Sequence, residues 1–378
     1  MSKIKRTMRW DPYQLYAGSE FDRFWTKHLA DGSRKLLFIV GRGFDARAAV
    51  VPQRILGRGK VAALHGWVLH YQNGQPNSAQ AQQRIHANAA AFHQIFGSGL
   101  TEIDVHMRGA GNSHATSRNT RRAVTRRDEL VQYTDVIVDI SAMPRTIGLT
   151  AIAQLIALLD EFAFRGGPSI NLHVVVAESV VADKRLTAGS LSDTVTSLSG
   201  FSGQLTAEST INLPRVWFPV LGEGQSARLE RIRDELDPDE ICPTIPFPSR
   251  DPRRGDRLIE EYRQLLFDDF RVEPANVLYA SEYNPFEAYR QIYSAIDRYR
   301  DSLSDLGGCK VYVSPLSSKL LSVGALLACY DHKGDSAGPD RVNVGIPYVE
   351  SVSYGEPIDA VDPGIDVYSL WIRGDWEK

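Results

Sequence analysis

Three short stretches set glycines or hydroxyls beside one basic side chain directly after an apolar run: GRGFDARA (41–48), DISAMPR (139–145) and SPLSSK (314–319). Backbone N–H groups at a helix start, aided by the helix dipole, favour an anion, and an Arg or Lys there adds charge-assisted donors. In the first stretch Gly41 and Gly43 would let a phosphate or base approach the backbone closely, with Asp45 and Arg47 at the rim. The alternative is a tight strand-exit turn. In the second, Asp139, Ser141 and Arg145 offer an acid, a hydroxyl and a guanidinium; alternatively Ser141 caps the helix and Asp139 pairs with Arg145. In the third, Ser314, Ser317 and Ser318 precede Lys319, a combination suited to holding phosphate. The full dinucleotide fingerprint is missing, since Ala46 stands where its last glycine would be, and no P-loop spacing occurs. The cofactor is therefore unassigned, with no NAD fingerprint.

Carboxylates form a second set. Glu178, Glu223 and Glu282 each follow an apolar run and could gather with Asp45 and Asp139 as general acid, base or metal ligands. Asp45, Glu178 and Glu282 are the catalytic candidates. Six histidines fall between His65 and His114, but none shows a HExxH or Cys/His zinc spacing, so the sequence carries no metal motif.

Arginines form a third. PFPSRDPRRGD (246–256) carries Arg250, Arg253 and Arg254 on a loop that Pro246, Pro248 and Pro252 stiffen. It reads either as a preorganised anion clamp or as a loop whose arginines pair with Asp251, Asp256 or more distant carboxylates, Asp256 capping the helix that follows. RNTRRAVTRR (118–127) holds Arg118, Arg121, Arg122, Arg126 and Arg127, either to neutralise nucleic-acid phosphates or as a solvated helix face.

The elements that must position these residues follow a recurring pattern: a β-branched run, a Gly, Ser or Pro turn, then a helical period. Buried strands are expected at Lys35–Val40, Val136–Ile140, Leu172–Val176, Val216–Val220, Asn276–Ala280 and Val311–Val313. Helices are expected at Ser78–Phe96, Thr146–Phe162, Ser226–Leu236, Asp256–Phe267, Pro285–Leu303 and Ser318–Tyr330. No clean helix is expected between GRGFDARA and Pro52. The pattern predicts an α/β fold with a doubly wound, mostly parallel sheet in two Rossmann-like lobes, 1–200 and 210–378. The period-poor stretch 189–209 reads as a lid or a long connection. Residues 136–160 and 311–331 echo each other: strand, Ser/Pro turn, one basic residue, small-residue-rich apolar helix.

The turn at Ser317, Ser318 and Lys319 resembles that of the CRISPR-associated Rossmann-fold sensor proteins, in which a strand, a short hydroxyl-bearing turn, a Lys or Arg and a helix contact a cyclic oligonucleotide. The paired glycines of that family are absent here. The resemblance covers about 20 residues, and more loosely the 136–160 unit. It implies a sensor or effector of antiphage defence.

With 378 residues, 43% hydrophobic and 24% charged, the chain has the composition of an ordinary globular protein. A formal charge of -3 means that any attraction to nucleic acid must come from a local patch. Three scattered cysteines suit a reducing compartment. The basic start lacks a signal-peptide core, and the longest apolar run, 147–159, is short for a bilayer. A cytoplasmic protein without membrane contact is expected, with a nucleotide or nucleic acid, protein partners or further copies of itself as candidate partners.

Overall fold

The computed structural model describes residues 7–72, 77–109, 115–179, 190–201, 210–334, 341–351 and 364–377. The chain divides into two compact units: residues 13–190 with 352–378, called here the first unit, and residues 1–12 with 191–351, the second.

The first unit is built on seven strands, numbered with the others in chain order: β1 (Leu15–Ala17), β2 (Lys35–Gly41), β3 (Ala63–Gln72), β4 (Leu100–His106), β5 (Asp135–Asp139), β6 (Asn171–Glu178) and β15 (Asp366–Arg373). Their order is β1-β15-β6-β5-β2-β3-β4. From β4 to β6 the pairing is parallel throughout, and β15 closes the sheet antiparallel to β6 and β1. The runs DVIVD and NLHVVVAE are buried at every position, as strands covered on both faces require.

The second unit repeats this plan. It contains β7 (Leu191–Ser197), β8 (Arg215–Val220), β9 (Glu240–Ile241), β10 (Thr244–Pro246), β11 (Leu278–Ala280), β12 (Cys309–Pro315), β13 (Val342–Gly345) and β14 (Pro347–Ser351). The main sheet runs β11-β10-β8-β12-β13, all parallel, with β9 beside β8; β7 and β14 form a separate antiparallel pair. In each unit the first parallel strand is central, the next two step to one side, and the chain then crosses back. The switch points lie between β2 and β5 and between β8 and β12, where open α/β sheets open a crevice at the strand carboxyl ends. The echo between 136–160 and 311–331 therefore falls on topologically equivalent strands, β5 and β12. The expected α/β fold with two Rossmann-like lobes is what the chain adopts.

All six expected strands and six expected helices form, with shifts at their ends. The expected helix at 256–267 is divided: Arg254–Glu261 is α-helical and Gln264–Asp269 is π-helical. A helix also spans Val50–Leu56, with Pro52 in its first turn, where a missing N–H costs no hydrogen bond. Within the stretch 189–209, residues 191–197 form β7, while 180–189 and 202–209 lie outside the described residues. The helix Arg145–Phe164 is long and apolar enough to cross a membrane by composition, but eleven of its twenty residues are buried in the protein.

Candidate functional site

At the first switch point the exit of β2 presses against the turn after β5. A Cβ on Gly43 would stand 2.0 Å from the Tyr71 hydroxyl and 3.2 Å from the Ala142 carbonyl oxygen, and one on Gly41 would stand 2.7 Å from Met143 Cγ. Tyr71 donates its hydroxyl proton to that Ala142 carbonyl at 2.7 Å. Close packing of the protein on itself thus requires both glycines.

The polar residues around them form a linked chain. Arg47 grips Asp45 through Nε and Nη2 (3.0 and 2.8 Å), and its Nη1 donates to the Ala177 carbonyl at 3.2 Å. Ala177 N–H donates to the Ser141 hydroxyl (2.8 Å), which itself donates to Asp139. Asn88 closes the loop from above, donating to the carbonyls of Gly43 and Asp45. Asp45, Asp139 and Glu178 therefore do gather at one sheet edge, at the ends of β2, β5 and β6. Arg47, expected at the rim, is instead buried at 2% exposure. The helix after β5 begins at Arg145, half-buried, and its N-cap is Pro144, not Ser141.

The second switch point is built alike. A Cβ on Gly222, two residues past β8, would lie 2.6 Å from the Leu316 carbonyl oxygen and 2.9 Å from Ser317 Cα. Ser318 caps the following helix, accepting from Leu321 N–H at 3.2 Å, and Lys319 is its first residue, half-buried. Ser317 is buried in the turn. Ser314 lies deeper, accepting from Trp217 Nε1 and donating to the Pro347 carbonyl.

Beside this turn the proline-rich loop delivers one arginine inward. Arg254 is bidentate to Glu223 (2.9 and 2.7 Å) and reaches Glu282 at 2.9 Å, tying together residues that follow β8 and β11. Its partners are thus distant carboxylates. Arg250 and Arg253 stay exposed on the outside of the loop, and Asp251 pairs with Arg257. Asp256 lies in the first turn of Arg254–Glu261, whose N-cap is Arg253 with no side-chain cap bond, so it does not cap that helix. The five candidate carboxylates are therefore divided, Asp45, Asp139 and Glu178 in one unit, Glu223 and Glu282 in the other.

The arginine run at 118–127 falls mostly on the helix Thr116–Val124, which buries Thr116, Ser117, Thr120 and Val124. Arg118, Arg121 and Arg122 face solvent, Arg121 donating to Gln154 at 2.9 Å. Arg126 pairs with Glu129 and Arg127 with Glu161, so the positive face is narrower than the sequence run.

One cluster has no counterpart in the sequence motifs. At the amino edge of the first sheet His28 Nε2 and His173 Nε2 lie 2.7 and 3.3 Å from the same oxygen of buried Asp135, and Arg34 stands 3.7 Å from the other. Burial would raise the Asp135 carboxyl, yet hydrogen bonds from His173 and His28 outweigh it and hold the group well below the usual carboxylate range. Burial pushes His173 down to about 4, so its imidazole is neutral at pH 7. Two histidines and a carboxylate are a donor set that transition metals accept. However, 2.7 Å is a hydrogen-bond length, Arg34 supplies the counter-charge, and His173 Nδ1 lacks the acceptor that a metal-bound imidazole usually finds. The cluster therefore reads as a hydrogen-bonded network. Of the six histidines between His65 and His114, His114 lies outside the described residues. All three cysteines are buried, and burial pushes Cys242 to about 11 and Cys309 to about 12, unlike a reactive thiol.

Fold and sites together define a protein of two Rossmann-like α/β units, each with a basic helix start at its switch point. No family model matches the chain, and no curated protein matches it.

Proposed function

We propose that the protein binds a phosphate-bearing ligand, a nucleotide or an oligonucleotide, at the carboxyl ends of its parallel strands, with Arg145 and Lys319 as the cations that meet it. One observation carries this reading. In both units the strand across the switch point ends in a Ser-containing turn, followed by a long helix whose first residue is basic. A helix N-terminus, the positive end of its dipole and a cation coincide there, and crevices at such positions are where doubly wound sheets take ligands. Ser141, Ser317 and Ser318 lie in the same turns. The resemblance at Ser317, Ser318 and Lys319 would make the ligand a cyclic oligonucleotide and the protein an intracellular sensor or effector of antiphage defence.

The strand-end carboxylates favour binding over turnover. Arg47 engages both oxygens of Asp45, and Arg254 holds Glu282, so both carboxylates already serve as ion-pair partners that tie the strand ends together. Isothermal titration with mono-, di- and cyclic oligonucleotides tests the reading. Arg145→Ala or Lys319→Ala should weaken binding at least tenfold, a charge-assisted contact being worth roughly 1.5–3 kcal/mol. Unchanged affinity in both variants removes the proposal. Nucleotides recovered intact after incubation support binding without turnover, whereas a product seen by mass spectrometry would restore an enzymatic role.

A further inference from the structure

Large apolar side chains that remain exposed usually scatter, but here three of the seven among the described residues share one edge. Phe247 is 51% exposed, Tyr279 47% and Tyr283 36%. Tyr279 sits in the middle of β11, the outermost strand of the second unit's sheet. Phe247 follows β10, its N–H donating to the Ala280 carbonyl, and its ring meets that of Tyr279 at 6.2 Å in an edge-to-face arrangement. Tyr283 lies three residues past the end of β11.

The proline-rich loop leaves from the same place. Ser249 bonds the Asp251 carbonyl, Asp251 accepts from the Arg253 N–H, and the Arg250 N–H donates to Glu282, so the loop backbone is fixed at several points. Asp251 spends its other oxygen on Arg257, and among the described residues no carboxylate pairs with the exposed Arg253 guanidinium. Exposed rings thus stand next to an exposed cation on a held loop.

We propose that this edge binds single-stranded nucleic acid, with successive bases stacked on Phe247, Tyr279 and Tyr283 and the phosphates running past Arg253. Aromatic faces accept any base, and a neighbouring arginine follows the backbone, which is how sequence-tolerant single-strand sites are built. A second copy of this chain fits the edge less well. β11 is three residues long and offers few ladder bonds, and a two-fold contact would bring the Arg253 charges of both copies onto one surface. Phosphates neutralise those charges, whereas a second copy doubles them. This site is separate from the helix starts at Arg145 and Lys319, and the two readings can fail independently.

The test is fluorescence anisotropy of labelled oligothymidylate and oligouridylate with the full chain across a salt series. Phe247→Ala and Tyr279→Ala should each weaken binding roughly tenfold, within the range one stacked base supplies. Tyr279→Phe should bind like the unaltered protein, and Arg253→Ala should lower the salt dependence by somewhat under one unit of log-log slope. Circular dichroism melting of the two ring-to-Ala variants should fall only slightly, by the loss of one edge-to-face pair between half-exposed rings, and that of Tyr279→Phe should hardly move. The idea is overturned if the unaltered protein binds neither oligonucleotide, or if the ring substitutions leave affinity unchanged. It is equally overturned if sedimentation shows them dissociating a dimer while nucleic-acid binding persists.

Discussion

Asp135 is fully buried, and its charge survives because two imidazoles and Arg34 surround it. Asp135→Asn would lose the charge that holds them together and should cost about 3 kcal/mol in urea unfolding, as breaking buried ion pairs does. The same cluster makes stability depend on pH. An unfolded His173 protonates near 6.5 but the folded one only near 4, so in that window the unfolded state binds more protons. Stability therefore falls as pH drops from 6.5 to 4, by on the order of 3 kcal/mol for this group. Asp135, held low, adds a loss of the same sign only below the ordinary carboxylate range. Urea midpoints across this range measure the slope, and His173→Gln should flatten it; an unchanged slope would exclude His173 as the source. No sequence pattern pointed to this cluster, because His28 and His173 lie 107 and 38 residues from Asp135. The switch-point turns were legible because each is contiguous: strand, turn and helix start together span about ten residues.

Elements became legible to the degree that they are buried. LLFIV, VIVD and VYV carry β-branched and apolar runs because neighbours cover both faces, and composition alone reveals that. β4, LTEIDVH, lies at the sheet edge with exposed Thr101, Glu102, Asp104 and His106, and β3 is interrupted by Gly66, which leaves room for the Phe96 ring. Neither yields a clean run, and both escape a sequence reading. β9 and β10 are short and stand apart at Pro243, which has no N–H to give the ladder. How elements meet was not legible at all. Gly222 appears as an ordinary turn residue, yet its missing Cβ lets the exit of β8 touch the turn after β12. Gly222→Ala should destabilise the protein by roughly 1–3 kcal/mol through backbone displacement. It should also weaken any ligand held by Ser318 and Lys319, because those residues would move with the turn. Calorimetric melting together with titration separates the two effects, and a melting temperature equal to that of the unaltered protein would show that the turn relaxes freely.

Along the whole molecule, chain order and spatial order diverge. The first unit takes its seventh strand from residues 366–373, and the second takes Trp10 from the N-terminal segment, where its ring meets Tyr289 at 5.5 Å. A linear reading finds βα units in sequence and assigns lobes by position, so it has no means of seeing that a terminal strand returns to the first sheet. The consequence is physical. β15 lies between β1 and β6, its Trp371 ring stacks on His173 at 5.3 Å, and Arg373 holds Asp160 at 2.9 Å. Residues 13–190 expressed alone would leave β6, otherwise buried at every position, as a bare edge beside an opened His173 pocket, which invites aggregation. Joining 352–378 to 190 through a short Gly/Ser linker should restore a single cooperative urea transition, because each strand then finds its partner within one chain. Urea unfolding and dye binding of the two proteins decide the matter: equal midpoints would mean that β15 contributes no stability to the first unit, and that the five parallel strands β6-β5-β2-β3-β4 suffice.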